Sequence, residues 1–301
     1  MDFGYLMTAM VTPFTNENAL DVNGIRTLIN HLAKNGTDTV VIHGTTGEAP
    51  TLTLEEKQTL LSVAVEEAAN ANIKVIAGIG ANSTEQAVQM AQAAEQTGAD
   101  GLMVVVPYYN KPSQEGIYQH IAQVAQSTPL PVMLYNVPGR TGADMSAETA
   151  LRLAAINQVF AIKEASGNID KVTEILRLAP EGFSVYSGDD SLTLPMMAVG
   201  AKGVVSVASH IVGREMKQMI DAFASGELQL AASIHHKLFP VMKAMFMAPS
   251  PAPVKTALAR YQLPGGGVRL PLIGLNEAES IELEAVLEPF LPITSRSVAS
   301  S

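Results

Sequence analysis

Lys163 closes an apolar run, Val159-Phe160-Ala161-Ile162. A lysine delivered by a buried strand is costly unless it is paired or unprotonated. Burial favours the neutral amine, the form that attacks a ketone to give an imine. The protonated imine then withdraws electrons, so the neighbouring methyl carbon can lose a proton and become an enamine nucleophile. A strand-end lysine paired with Glu164, or reaching solvent along its own stem, satisfies the same string. Tyr135 ends an earlier apolar run, and its hydroxyl could relay protons at the same centre; a core or rim tyrosine is the other reading. Gly44-Thr45-Thr46-Gly47-Glu48 offers successive amides and two hydroxyls on a glycine-flanked loop, a compact carboxylate receptor, although a plain turn also fits. Arg140, in NVPGRTG, carries a fork suited to a second carboxylate, or is a surface arginine.

Other chemistries find little support. The chain has 0 cysteines, which removes disulfides, thiolate nucleophiles and Cys-based zinc sites. There is no HExxH. His235 and His236 are adjacent on a helical stretch, so they diverge by about 100° and read as a solvated face. His43 and His120 read as satisfied polar positions.

The elements that must position these residues alternate. Apolar runs at Leu6–Thr12, Thr39–His43, Lys74–Gly78, Gly101–Val106, Pro131–Asn136, Val159–Lys163, Phe183–Ser187 and Gly203–Val207 read as strands. Several are apolar almost throughout, the pattern of parallel strands covered on both faces. Amphipathic stretches lie between them. Thr53 with Glu56 and Ser83 with Gln86 fit capping boxes, and Gly36 and Gly98 stand where helices should stop. Eight such units in roughly 210 residues predict an α/β fold, a (β/α)₈ TIM barrel, with its functional groups at the C-terminal strand ends. A doubly wound sheet is the competing architecture. Its dinucleotide form needs GxGxxG after the first strand, where this chain has VTPFTNEN.

The barrel is expected over residues 1–226. Residues 227–292 read as a C-terminal helical extension: a long helix from about Glu227, a Pro-rich turn, and helices at Val254–Tyr261 and Asn276–Leu287. Residues 293–301 read as a frayed tail. With 301 residues, 47% of them hydrophobic, the chain can bury a large core. Its formal charge of -10, from 29 acidic and 19 basic residues, argues against a nucleic-acid surface. No apolar run reaches the 18 or so residues of a membrane span. The first residues lack a basic n-region and a cleavage site, so they read as a core strand of a cytoplasmic protein.

The chain resembles the dihydrodipicolinate synthase (4-hydroxy-tetrahydrodipicolinate synthase) family, pyruvate-dependent class I aldolases related to N-acetylneuraminate lyase. The matching pieces are VTPF at Val11–Phe14, GTTGE at Gly44–Glu48, VIAGIGAN at Val75–Asn82, PYYNKPSQEG at Pro107–Gly116, YNVPGRTG at Tyr135–Gly142, IKEASGN at Ile162–Asn168, SGDD at Ser187–Asp190, GAKGVVSV at Gly200–Val207 and PAPVK at Pro251–Lys255. They run from Leu6 to about Leu287 in family order.

The resemblance implies that Lys163 forms an imine with pyruvate and that Tyr135 shuttles protons, linked through Thr46 to Tyr109 of a neighbouring subunit. Thr45 and Thr46 would hold the pyruvate carboxylate, the Gly188 and Val205 carbonyls would line the pocket, and Arg140 would bind L-aspartate 4-semialdehyde. A homotetramer, built as a dimer of dimers, is implied, and imine chemistry calls for no cofactor. Arg140 and Thr141 stand where sialic-acid lyases usually carry leucine and serine. A relative acting on sugar acids is the alternative enzyme, and a non-catalytic ligand-sensing barrel the alternative outside enzymes. In members inhibited by L-lysine, a histidine and a glutamate line the regulatory pocket. Here Lys57 and Gln86 match those positions, which implies weak inhibition or none.

Overall fold

The computed structural model describes residues 2–291. The expected tail at 293–301 lies outside them. Eight strands, β1 (Leu6–Ala9), β2 (Thr39–Ile42), β3 (Lys74–Gly78), β4 (Gly101–Val105), β5 (Val132–Asn136), β6 (Val159–Glu164), β7 (Ser184–Ser187) and β8 (Gly203–Ser206), close into a barrel in sequence order. Every pairing is parallel, and β8 returns to β1. Parallel neighbours cannot be joined by hairpins, so a helical crossover follows each strand. The helices up to the last strand's partner are α1 (Val22–Lys34), α2 (Leu54–Asn70), α3 (Thr84–Thr97), α4 (Gln114–Gln126), α5 (Pro138–Thr141), α6 (Ala147–Ala154), α7 (Ile169–Leu178), α8 (Thr193–Ala198) and α9 (Ser209–Ala224).

Alternation along each strand divides the core in two. One set of side chains faces the helices, including Leu134, Ile162, Val185 and Val204. The other fills the barrel, including Met7, Val41, Ile76, Met103, Met133, Ala161, Tyr186 and Val205. Ala161 faces inward on β6, so Lys163, two residues on, faces inward at the C-terminal end of the same strand.

Local signals hold with one exception. Thr53 caps α2 through the reciprocal box with Glu56. Gly36 and Gly98 take left-handed backbone at the ends of α1 and α3. Ser83 precedes α3 but its side chain caps nothing, so the second box does not form. An unforeseen box forms at the last helix, between Asn276 and Glu279. The first strand is shorter than expected: after Ala9 only the Met10 amide still reaches across, to Val41 O at 3.1 Å, and the chain then leaves the barrel.

Beyond α9 come α10 (Leu228–Ala244), α11 (Ala252–Arg260) and α12 (Glu277–Leu287). Leu238, Val241, Val254, Leu258, Leu283 and Leu287 from these helices are buried in the same apolar cluster as the outer barrel face. No helix among the described residues is long and apolar enough to cross a membrane.

Candidate active site

The register of the sheet places Tyr135 beside Lys163 on one flank and Tyr186 beside it on the other. Lys163 is only 6% exposed, and its Nζ lies 4.3 Å from the centroid of the Tyr135 ring. None of the ion pairs among the described residues involves it. Glu164, the alternative partner, points to the outer face of β6. It accepts from Asn136 Nδ2 at 3.0 Å and from the Ser166 amide at 2.6 Å. The strand's alternation thus separates the two charged neighbours and leaves Lys163 facing the barrel mouth. Tyr186 runs the other way, donating to Gly4 O at 2.9 Å, and burial pushes its phenol pKa well up. It forms the floor below the lysine.

Gly188 follows β7 and crosses the lysine stem. A Cβ there would stand 2.6 Å from Ala165 Cβ and 3.2 Å from Lys163 Cε, so no side chain fits without displacing one of them. Val205 faces the barrel interior on β8.

The loop after β2 carries the threonines. Gly47 donates to Gly44 O and Glu48 to Thr45 O, each at 3.1 Å, and Glu48 takes left-handed backbone at φ 53°. Thr12, on the loop after β1, donates its hydroxyl to Gly47 O at 2.6 Å. Thr46 is buried and Thr45 exposed. Among the described residues neither of their amides is taken by a protein acceptor. Successive free amides beside a hydroxyl suit an anionic oxygen.

Beside these elements lies a cleft of about 290 Å³; its walls include Thr45, His43, Lys57, Tyr108, Tyr135 and Arg140, while Lys163, Thr46, Gly188 and Val205 are not among them. Two cations and no carboxylate line it. Arg140 sits on the one-turn α5 and is exposed, with no ion-pair partner among the described residues. Tyr109 is not brought to Lys163 within one chain. It is 88% exposed at φ 75°, its amide bonded to Thr141 O at 3.3 Å.

His43 is not the satisfied polar residue that the sequence suggests. It is buried with no partner for Nε2 among the described residues, and burial, with Lys57 nearby, draws its pKa down to about 4. His120 likewise leaves Nε2 unpartnered, while Nδ1 meets Thr84 Oγ1 at 2.9 Å. A position at the inward-facing end of β2 was the available signal for His43. His235 is half-buried, not fully solvated. No group of three potential metal ligands occurs among the described residues.

The sequence profile of the Dihydrodipicolinate synthetase family matches residues 2–289. The chain belongs to that family. A 4-hydroxy-tetrahydrodipicolinate synthase of Bacillus velezensis is 55% identical over 287 residues, covering 95% of this chain and 99% of the relative. The Bacillus subtilis enzyme of the same name is 54% identical over 288 residues, with 95% and 99% covered. Among solved structures, a dihydrodipicolinate synthase of Bacillus anthracis superposes with a TM-score of 0.94 at 50% identity, covering 97% of this chain and 99% of that one. The lysine-bound enzyme of Cyanidioschyzon merolae has a TM-score of 0.93 at 42% identity, covering 95% of this chain and 97% of that one. Membership in the dihydrodipicolinate synthetase family accounts for the order of the motifs and for the closed barrel alike.

Proposed function

We infer that this chain is a 4-hydroxy-tetrahydrodipicolinate synthase, a lyase that condenses pyruvate with L-aspartate 4-semialdehyde through an imine on Lys163. The observation that carries the reading is an inward lysine without an ion-pair partner, seated against the ring of Tyr135 at the barrel mouth. Near-full-length identity to synthases of that name gives the reaction class.

In this reading the Lys163 amine adds to the pyruvate ketone and water leaves, giving a protonated imine. The Thr45 and Thr46 amides hold the pyruvate carboxylate, and the carbonyls of Gly188 and Val205 line the pocket. Loss of a methyl proton gives the enamine, with Tyr135 moving protons to and from the centre. The enamine carbon attacks the aldehyde, whose carboxylate is held by Arg140. The substrate's own amine then attacks the imine carbon, displaces Lys163 and closes the ring. That last displacement regenerates the lysine, so the chain's residues need supply only binding, proton transfer and the covalent amine.

Tyr109 enters as a residue offered to a second copy of the chain. A tyrosine held 88% exposed beside the mouth supports that assignment and a homotetrameric assembly. A cytoplasmic site of action belongs to the same reading, with Leu6–Ala9 serving as a barrel strand. A substrate panel tests the specificity: pyruvate paired with aspartate semialdehyde, N-acetylmannosamine or glyceraldehyde. Turnover only with the first pair is expected, and preference for either sugar-type aldehyde would reject this substrate assignment.

A further inference from the structure

The threonine loop is anchored from the far end of the chain. Glu48, two residues after Thr46, is buried, and its Oε1 lies 2.7 Å from Nζ of Lys255 on α11. Lys255 is 2% exposed. The contact is an ion pair, while the ammonium's directed hydrogen bond goes to Gly267 O at 2.7 Å. Glu48 Oε2 accepts the Arg269 amide at 2.9 Å. Residues 263–271 thus form a strap over the loops that follow β1 and β2. Phe14, from the loop after β1, sits between two cations, with Lys255 Nζ and Arg269 Cζ each 4.1 Å from its ring. At Gly266 a Cβ would fall 2.1 Å from Phe14 O, so the strap lies directly on that loop. Arg269 also donates to Asn18 O, Thr51 O and Glu56. None of these groups reaches Lys163.

We propose that Glu48 and Lys255 are a positioning pair for the site, holding the Thr45 and Thr46 amides in the orientation that receives the substrate carboxylate. The proposal rests on the reading of that loop as the pyruvate-carboxylate receptor. Three features carry it. The pair acts at the loop itself, since the Glu48 amide is bonded to Thr45 O and its carbonyl receives the Thr51 amide at 2.9 Å. A buried ion pair is a weak source of stability compared with apolar residues of equal volume, but it fixes geometry in two directions at once. And Glu48 holds left-handed backbone, which needs an anchor to persist in a residue with a Cβ.

Burial draws the Lys255 pKa down to about 8 against the opposing pull of Glu48. The charged groups facing the ammonium are Glu48 from the β2 loop and Arg269 from the strap, and Glu56 of α2 meets Arg269. Deprotonation above that pH would slacken the loop, so pyruvate binding carries an alkaline limb.

The test uses the full-length enzyme. Replacing both partners, Glu48→Gln with Lys255→Met, removes the charges without leaving one unpaired. The pyruvate KM should rise about tenfold or more while kcat at saturation changes by less than about threefold, because the receptor is misplaced and the lysine is not. In the wild type the pyruvate KM should climb between about pH 7 and about pH 9.5, and Lys255→Arg should flatten that climb. An unchanged pyruvate KM in the folded double variant overturns the proposal, as does an alkaline climb that persists in Lys255→Arg. If neither variant folds, the wild-type profile decides, and a flat one overturns the proposal. Borohydride trapping of pyruvate on the wild type separates the two layers. A trapped adduct with an unmoved KM rejects the positioning pair alone; no adduct rejects the underlying reading and this inference with it.

Discussion

Tyr135 and Lys163 are directly paired across the β5–β6 ladder, and both turn inward at the mouth of the barrel. Lys163 Nζ lies 4.3 Å from the centroid of the phenol ring, so the two side chains share one small volume bounded by Gly188. That pairing makes the aromatic ring a wall and the hydroxyl a candidate proton carrier, two roles that substitution can separate.

Tyr135→Phe keeps the wall and removes the hydroxyl. Turnover should fall by about a hundredfold or more, the usual contribution of a positioned acid–base group, while borohydride still traps pyruvate slowly. Steady-state rates beside trapping yields check this. Wild-type turnover in the variant would remove Tyr135 from proton transfer.

Arg140→Ala should raise the KM for the aldehyde far more than that for pyruvate. Because the guanidinium is exposed, the loss should be roughly 1–3 kcal/mol, or about 5- to 150-fold. Varying each substrate in turn measures it. Equal effects would mean that Arg140 organises the cleft instead of holding one carboxylate.

His210 predicts an acid limb in stability. Its Nδ1 lies 2.8 Å from Val207 O and so donates, while Nε2 accepts the Val11 amide at 3.2 Å, which fixes a neutral ring. Complete burial draws its pKa down to about 4, from an ordinary value near 6.5. The unfolded chain therefore binds a proton that the native state refuses between those values, and stability falls as pH drops through that window. The loss approaches about 3 kcal/mol by the lower end, with His43 adding in the same direction. Below it, Glu56, held near 2 by Arg269, extends the decline as its carboxylate protonates. Thermal melts of wild type and His210→Asn across pH 7 to about pH 4.5 check the slope, which should be shallower in the variant. An unchanged slope would assign the acid limb to other groups.

L-Lysine should inhibit weakly, with half-inhibition above about 1 mM, a level equivalent to roughly 4 kcal/mol of binding. Lys57 lines the cleft half-buried, Gln86 is exposed and absent from its walls, and no carboxylate replaces it there. A cationic ligand would meet like charge without a counterion. Titration of activity at subsaturating pyruvate decides the point, and half-inhibition well below that level would contradict the charge argument.

The sequence made the barrel legible because strands buried on both faces must be apolar throughout, and the alternation of such runs with capped helices leaves few architectures. Lys163 and Tyr135 were legible for the same reason: a polar group ending an apolar run stands out. The orientation of Lys163 away from Glu164 follows only once the inward face of β6 is known. Thr45 and Thr46 differ in exposure because Thr12 and Glu48 pin the loop from two sides, a relation between segments that no local pattern contains. Glu48 and Lys255 were invisible as a pair, since only the strap's path brings α11 to the β2 loop. Ser83 failed as a cap because a capping string specifies a possible hydrogen bond, and the preceding loop must still deliver the hydroxyl.

The most direct test of the account is reduction with borohydride in the presence of pyruvate, followed by intact mass and peptide mapping. Condensation with loss of water and then hydride reduction should add about 72 Da to the chain, located on Lys163 and absent from Lys163→Ala, whose turnover should fall by about a thousandfold or more. An adduct on another lysine, no adduct at all, or near-native activity in Lys163→Ala would contradict the central claim.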